Sequence, residues 1–294
     1  MDKHAYLIMA HNNFEILEKT LKLLDDERND FYIHIDKKVK NFDFEKFKSF
    51  IRKSKIFFTD RIDVKWGHFS QIQCELILLK EATKNNYSYY HLISGVDMPI
   101  KPKNEIYNFF ENNKGKEFIN FQSKIYNEKF NNRFNVYHLF PNSSRSKLKK
   151  ILILIEKFSL LLQKLLKVNR IKKMSIKFQK GDNWFSITDN FAKYILEKEH
   201  WIKNAFKFTS CCDEIFLQTL IINSFFQENL YNKEFDNNSI YSIKRYIDWN
   251  RGTPYIFRKE DFNNLINSEA LFARKFDLNI DKEIVDMIFK YFIN

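Results

Sequence analysis

The sequence predicts an α/β protein: a mostly parallel, Rossmann-like central sheet flanked by helices. Three observations lead there. Short apolar runs alternate with amphipathic helical stretches through the first hundred residues, the pattern of strands joined by helical crossovers. The 294 residues are 44% hydrophobic and include 32 Phe and 14 Tyr, enough apolar mass for one large core. Only five glycines and four prolines occur, where average usage gives roughly 20 and 15. That scarcity excludes collagen-like, linker-like and Pro-rich disordered chains.

The elements follow in order. Tyr6-Leu7-Ile8-Met9-Ala10 reads as a buried strand, and Phe14, Leu17, Leu21 and Leu24 mark a helix over 14–24. Phe31 to Ile35 is a second strand, followed by a helix near Phe44 to Ile51. Ile56-Phe57-Phe58 is a third strand before an amphipathic stretch from Phe69 to Ala82. Tyr89 to Ile93 is a fourth strand, ending at Ser94-Gly95. Ligands of such sheets bind beyond the carboxyl ends of the strands. The turns after Ala10, Ile35 and Ile93 are therefore expected to carry the site.

The second half is less regular. Strand-like segments cover Glu117 to Phe121, Asn183 to Ile187 and Ser239 to Ile247. Helices are predicted over Phe191 to Lys198, Asp213 to Asn223 and Lys282 to Phe292. No repeat or linker interrupts the chain, so one domain over 1–294 is expected, with halves at 1–115 and 116–294.

Charge and special residues narrow the classes. Forty-nine Lys and Arg against 37 Asp and Glu leave a net charge of +12, which favours anionic partners: nucleotide phosphates, nucleic acid or an anionic bilayer. Three cysteines without a CxxC give neither a disulfide framework nor a thiolate zinc site, and a reducing compartment is the default. The N-terminus lacks a signal-peptide pattern, and no run of 18 uncharged apolar residues spans a membrane. The seven histidines show no HxH or HxxxH spacing, and no Asp-x-Asp follows a strand. GxGxxG, GxxxxGK and Gly-x-Ser-x-Gly are all absent, which removes dinucleotide, P-loop and nucleophile-elbow readings.

Three segments remain that could carry chemistry. Asp213-Glu214 precede an apolar helical stripe at capping-box spacing from Ser210, so they cap a helix or put Glu214 in a cleft as a general base. The two readings are compatible, with Asp213 capping while Glu214 projects. Arg274-Lys275 lie between apolar residues; they are a solvated turn or an anchored cation pair of the kind a diphosphate leaving group needs. Arg245, Arg251 and Arg258 surround Trp249 as further cations. The segment 147–173 mixes an aliphatic stripe with lysines, and reads as a buried core helix with a basic outer face or as an interfacial helix on an anionic leaflet.

Taken in order, six segments resemble the core-2/I-branching glycosyltransferases, family 14, which also holds the peptide O-xylosyltransferases. They are Val64 to Ser70, Ser94 to Ile100, Gly181 to Ser186, Cys212-Asp213-Glu214, Arg245 to Trp249 and Leu271 to Asp277. The resemblance runs from Ala5 to about Asp277, and matches poorly between Gly115 and Gly181, where acceptor choice in the family is largely made.

It implies a GT-A-type fold and an inverting, metal-independent transfer from a UDP-sugar, with no cofactor. The 1–115 half would bind the nucleotide sugar and the 116–294 half the acceptor. Glu214 matches the family's catalytic base, although Cys212 stands where the family has proline. Lys275 matches the lysine on the donor diphosphate, and Arg251 is the expected partner with Arg245 in reserve. His11, Asp36, Trp66 and Asp97 match the uridine and donor side. Trp184, Trp249 and Asp213 fall on the acceptor side, where ring faces stack on sugars.

The expected partners are a UDP-sugar donor, UDP-GlcNAc ahead of UDP-xylose, and a glycan or lipid-linked glycan acceptor. Peripheral contact with an anionic membrane through 147–173 is expected, and nucleic acid is not, because the cations form no reader motif. A non-catalytic basic binding protein is the alternative from another class. A composition rich in Lys, Asn and Phe fits an AT-rich bacterial genome, giving the expectation of a cytoplasmic enzyme at the inner membrane that builds a surface polysaccharide.

Overall fold

A computed structural model of the chain describes residues 2–141 and 148–293. Its centre is a six-stranded sheet, and the four amino-terminal strands are the predicted ones with small shifts at their ends. They are β1 (His4–Ala10), β2 (Asn29–Ile35), β3 (Lys55–Phe58) and β4 (Tyr89–Ser94). Strand order is β3-β2-β1-β4, continued by Phe185–Thr188 (β7) and then Phe118–Ile119 (β6). The first four strands are mutually parallel, with Ile8 opposite Ile33 on one side and Ile93 on the other. Beside a short strand β5 (Met98–Pro99) outside this sheet, β6 (Phe118–Ile119) and β7 (Phe185–Thr188) extend it from the second half of the chain. Both run antiparallel, β7 against β4 and β6 against β7.

Side-chain alternation explains why helices cover both faces. Leu7, Tyr32, Tyr90 and Leu92 point to one side, where Ile72, Leu76 and Leu79 of the helix Ser70–Ala82 meet them. Tyr6, Ile8, Phe31 and Ile93 point to the other, against Leu17 and Leu21 of the helix Phe14–Leu24. Every residue of β2 is buried, as a strand covered on both faces requires.

Of a second, three-stranded sheet only β8 (Arg245–Ile247), at the end of the run over Ser239 to Ile247, was legible in the sequence. The order of this sheet is β5, β9 (Phe272–Arg274), β8, with β8 and β9 parallel to each other. A third apolar cluster joins it to the helix Lys282–Phe292, through Met98, Ala273, Phe276, Ile284 and Ile288.

Several expectations need correcting. The region read as one strand over Ser239 to Ile247 begins as a short helix, Ser239–Ser242, because the Asn238 side chain accepts from the Tyr241 N–H and caps it. The helix near Phe44 ends at Lys48, three residues early. Arg274-Lys275 do not form a solvated turn; Arg274 closes a strand whose neighbours Phe272 and Ala273 are fully buried.

The largest correction concerns 147–173, whose first residue, Lys147, lies outside the described residues. The helix Lys149–Leu165 is not a core helix with a basic outer face. Only the polar Glu156 and Gln163 are buried along it, while Leu154, Phe158 and Leu165 face outward. No helix among the described residues is long and apolar enough to cross a membrane.

Candidate active site

A cleft of about 1260 Å³ opens at the carboxyl ends of the parallel strands. It is lined by residues at or just past strand ends: Ala10 at the end of β1 and His11 after it, Asp36 after β2 and Ser94 at the end of β4. Eight of the eleven residues singled out in the sequence line it: Glu214, Asp213, Lys275, His11, Asp36, Trp66, Trp184 and Trp249. Arg245, Arg251 and Asp97 are not among its lining residues.

Asp36 is buried and rigidly held. Its carboxylate accepts from the Lys38 N–H at 2.8 Å and the Val64 N–H at 3.2 Å, which joins the turn after β2 to the segment leading to Trp66. His34, also on the wall, has its Nε2 occupied by the Ile62 N–H at 3.0 Å. Burial pushes this imidazole down to about 4, so it stays neutral in the physiological range. Trp66 and Trp249 are about half exposed (53% and 46%), each presenting a ring at the rim.

On the opposite side Glu214 sits in a 3-10 turn, Cys212–Glu214. Neither Asp213 nor Glu214 caps the helix Phe216–Ile222, whose first turn has no side-chain cap. The capping reading is therefore set aside, because both carboxylates have other partners. Glu214 is ion-paired to Arg133 at 2.7 Å and Lys180 at 3.1 Å, both on Oε2. Among the described residues no hydrogen bond goes to its Oε1, and the side chain keeps 30% of its surface accessible. The rings beneath are part of the arrangement: Arg133 and Lys180 both lie over Phe130, at 4.4 and 5.1 Å.

Asp213 turns the other way, into the protein. Its Oδ2 accepts from the Gln71 side chain at 2.6 Å, while Oδ1 has no partner among the described residues. Burial, then the neighbouring Glu214 charge, raises its carboxyl above the ordinary range. Gln71 also accepts from the Gly67 N–H, and the Gly67 carbonyl accepts from the Cys211 N–H at 3.0 Å. One side chain thus ties the Trp66 turn to the Glu214 turn. Behind them Glu75 is wholly buried, with no partner for either oxygen among the described residues, and burial followed by Asp213 raises it well above the usual carboxylate value.

The cation end of the cleft carries Lys275 and Arg274, with Lys38 and Lys65 on the Asp36 side. Arg274 donates to the Asp97 carboxylate at 2.8 Å and to the Ser94 hydroxyl, and lies 4.4 Å above the Trp184 ring. Asp97 accordingly acts from below the surface: it is 2% exposed and holds Arg274 and the Ser94 backbone.

The two arginines expected beside Lys275 are elsewhere. Arg245 is fully buried, donating to the Ile243 carbonyl and the Ser186 hydroxyl, and burial pushes it down to about 10. Arg251 is pinned to Asp248 at 2.5 Å and Asp261 at 2.7 Å. The arginine next to Lys275 in the cleft is Arg274, its chain neighbour.

Four residues of this arrangement escaped the sequence reading in part or whole: Arg133, Lys180, Gln71 and Asp182. Asp182 is buried on the cleft wall, bonded to Asn120 at 2.7 Å, with its carboxyl raised by burial. Asp182 was visible as a member of a quoted segment, but Arg133 lies in an aperiodic Asn-rich stretch with no local signal.

Gly181 explains part of the geometry. Its N–H donates to the Glu214 carbonyl at 2.9 Å, and an added Cβ would stand 1.9 Å from the Asn120 carbonyl oxygen. Gly181→Ala is expected to cost at least about 2 kcal/mol, because two backbone segments must separate. A thermal melt of the purified variant checks this, and an unchanged Tm would show that the contact yields freely.

No group of three His, Cys, Asp or Glu among the described residues is arranged to hold a metal ion. The family model described as Core-2/I-Branching enzyme matches residues 4–266. Xylosyltransferase 2 of Rattus norvegicus is 22% identical over 304 residues, covering 97% of this chain and 33% of that protein. A beta-1,3-galactosyl-O-glycosyl-glycoprotein beta-1,6-N-acetylglucosaminyltransferase of Bos taurus is 22% identical over 316 residues, covering 94% of this chain and 66% of that protein. The chain therefore spans about a third of the first relative's length. Mouse xyloside xylosyltransferase 1 in its apo form superimposes with a TM-score of 0.38 at 10% identity, covering 93% of this chain and 97% of that one.

Proposed function

The chain belongs to the Core-2/I-Branching enzyme family, and from that premise we propose that it is an inverting glycosyltransferase that moves a sugar from a UDP-sugar to a glycan hydroxyl. The observation that carries the reading is one cleft with a carboxylate, Glu214, on one wall and a cation pair, Arg274 and Lys275, at the end of another. Asp36, just past the carboxyl end of β2, and Trp66, in the connection from β3 to the helix Ser70–Ala82, supply a polar anchor and a ring for the uridine, in keeping with where such sheets bind nucleotides. His11 lines the same cleft as Asp36 and Lys275, which supports a donor lying along that wall.

In the proposed reaction Glu214 takes the proton from the acceptor hydroxyl as its oxygen attacks the anomeric carbon. The bond from that carbon to the diphosphate oxygen breaks, and UDP leaves with the electron pair. Attack opposite the leaving group inverts the anomeric centre. Negative charge grows on the departing diphosphate, and fixed cations that need not reorganise stabilise it most. Lys275 fills that role, with Arg274 beside it, held in place by Asp97 and Trp184. Trp249 and the neighbourhood of Asp182 then receive the acceptor sugar.

The proposed donor is UDP-GlcNAc. UDP-xylose is the second reading, favoured by a match to a xylosyltransferase over nearly the whole chain. Thermal melts with UDP, UDP-GlcNAc and UDP-xylose test both. A ligand at a hundred times its dissociation constant adds about 2.7 kcal/mol to the folded state. UDP and one of the two sugars should raise Tm, and the absence of a shift with any UDP compound would sink the transferase reading. Donor hydrolysis should be unchanged by EDTA, since lysine and arginine meet the diphosphate charge; a strict divalent-metal requirement would overturn that part.

A further inference from the structure

The helix Lys149–Leu165 is inside out, and its construction tells what covers it. Its polar residues do the packing. Glu156 accepts from the Phe140 N–H at 3.0 Å and bonds the His138 ring at 2.9 Å. Gln163 pairs in both directions with the Tyr137 backbone, at 2.7 and 2.8 Å. These bonds zip one side of the helix onto the extended segment before it. The aliphatic side is thereby turned outward: Ile151, Leu154, Phe158, Leu161, Leu165 and Leu166 are all more than half exposed, Phe158 at 67%. Their spacing puts them on one face over four turns. Scattered exposed apolar residues are ordinary, but a contiguous stripe of this size marks an interaction surface.

The charges on the same helix select the partner. Lys150, Lys157 and Lys164 recur every seven residues, so they form a row along one edge of the apolar stripe, and all three are exposed. Lys149, Lys167, Lys172 and Lys173 add cations at the ends. Between 148 and 173 the one acidic residue is Glu156, and it is buried against the protein. A second copy of this chain would bring the same lysine rows toward each other, whereas an anionic leaflet takes both the apolar stripe and the cations. The helix has no span-length apolar run, so it lies in the interface and does not cross it. Leu152, on the flank of the stripe, lines the cleft with Leu139, Phe140 and Pro141, so the apolar surface runs from the helix into the cleft wall.

We propose that this helix docks the protein on an anionic bilayer, its apolar stripe among the acyl chains and its lysine row among the headgroups, with the cleft opening at the membrane surface. The inference stands on the helix alone and goes beyond the transferase reading. Co-sedimentation of the full chain with vesicles of phosphatidylcholine and phosphatidylglycerol in equal parts tests it. Binding is expected to the mixed vesicles, weakly if at all to phosphatidylcholine alone, and without competition from inorganic phosphate. The triple variant Leu154→Ser, Phe158→Ser and Leu165→Ser should lose binding while keeping its Tm and its UDP-induced shift, because these side chains support neither core nor cleft. Replacing Lys150, Lys157 and Lys164 with Gln should weaken binding roughly 100-fold, from about fivefold per surface charge. Absence of wild-type binding to mixed vesicles would overturn the inference. So would a salt-stable dimer that the triple serine variant converts to monomer, which would assign the face to a second copy. Loss of the UDP shift in the wild type, with vesicle binding intact, would count against the transferase reading only.

Discussion

Glu214→Gln is expected to lower transfer by about 10²–10⁴-fold, the usual contribution of a positioned general base, while UDP still raises Tm as in the wild type. The amide keeps the size of the side chain and removes the acceptor of the proton. Glu214 is at the cleft surface and bonds through Oε2 to Arg133 and Lys180, so Oε1 is the oxygen available to an incoming hydroxyl. The substitution also leaves two cations without their counter-charge, and Lys180 is nearly buried. A melt of the variant separates that structural effect from the chemical one. Asp213→Asn is the control. Its carboxylate faces Gln71, and its removal should change activity far less than the glutamine variant. Equal losses of transfer and UDP binding in Glu214→Gln, or a larger loss in Asp213→Asn, would sink the assignment of the base.

Lys275→Ala should lower the turnover of donor by about 10²–10³-fold, by analogy with removing one fixed donor from a developing oxyanion, and should weaken UDP binding in the same assay. Arg274→Ala is expected to act in the same direction, with some additional loss of Tm, because it also releases Asp97 and uncovers Trp184. Arg251→Ala should leave UDP binding within a few-fold of wild type. That guanidinium is committed to Asp248 and Asp261, and the cleft lining does not include it. UDP titrations of the three variants rank them directly. If Arg251→Ala weakened UDP binding as much as Lys275→Ala, the loop carrying Arg251 would have to close over the donor, and the assignment of Arg274 would fall.

Much of the parallel half was legible in the chain itself. β1, β2 and the helix Phe14–Leu24 follow from apolar runs and spacing, because both are local properties of a covered strand and a one-sided helix. Asp36, His11 and Lys275 could be singled out for the same reason, since they stand in short segments with a recognisable pattern. The second sheet was visible only as β8, the end of the run over Ser239 to Ile247: β5 and β9 are two and three residues long and pair 175 positions apart, Met98 with Ala273. Strands of that length carry no period. Arg133 was missed because its role depends on a contact with Glu214 81 positions away.

The helix Lys149–Leu165 marks the boundary between the two kinds of information. Its amphipathic pattern and its lysine row are written in the sequence, since period and charge are properties of consecutive residues. Which side faces the protein is not, because hydrophobicity alone would have turned the leucines inward. The tertiary structure reversed them through bonds from Glu156 and Gln163 to the 137–140 backbone. The same division holds in the cleft. Composition and motif determined that carboxylates, cations and tryptophans would be present. Long-range packing decided that Asp97 and Trp184 hold Arg274 at the cleft, that Arg245 lies in the interior, and that Asp213 turns inward while Glu214 faces the cleft. Local order is set by neighbours along the chain, and a site is set by groups that only folding brings within a few ångströms.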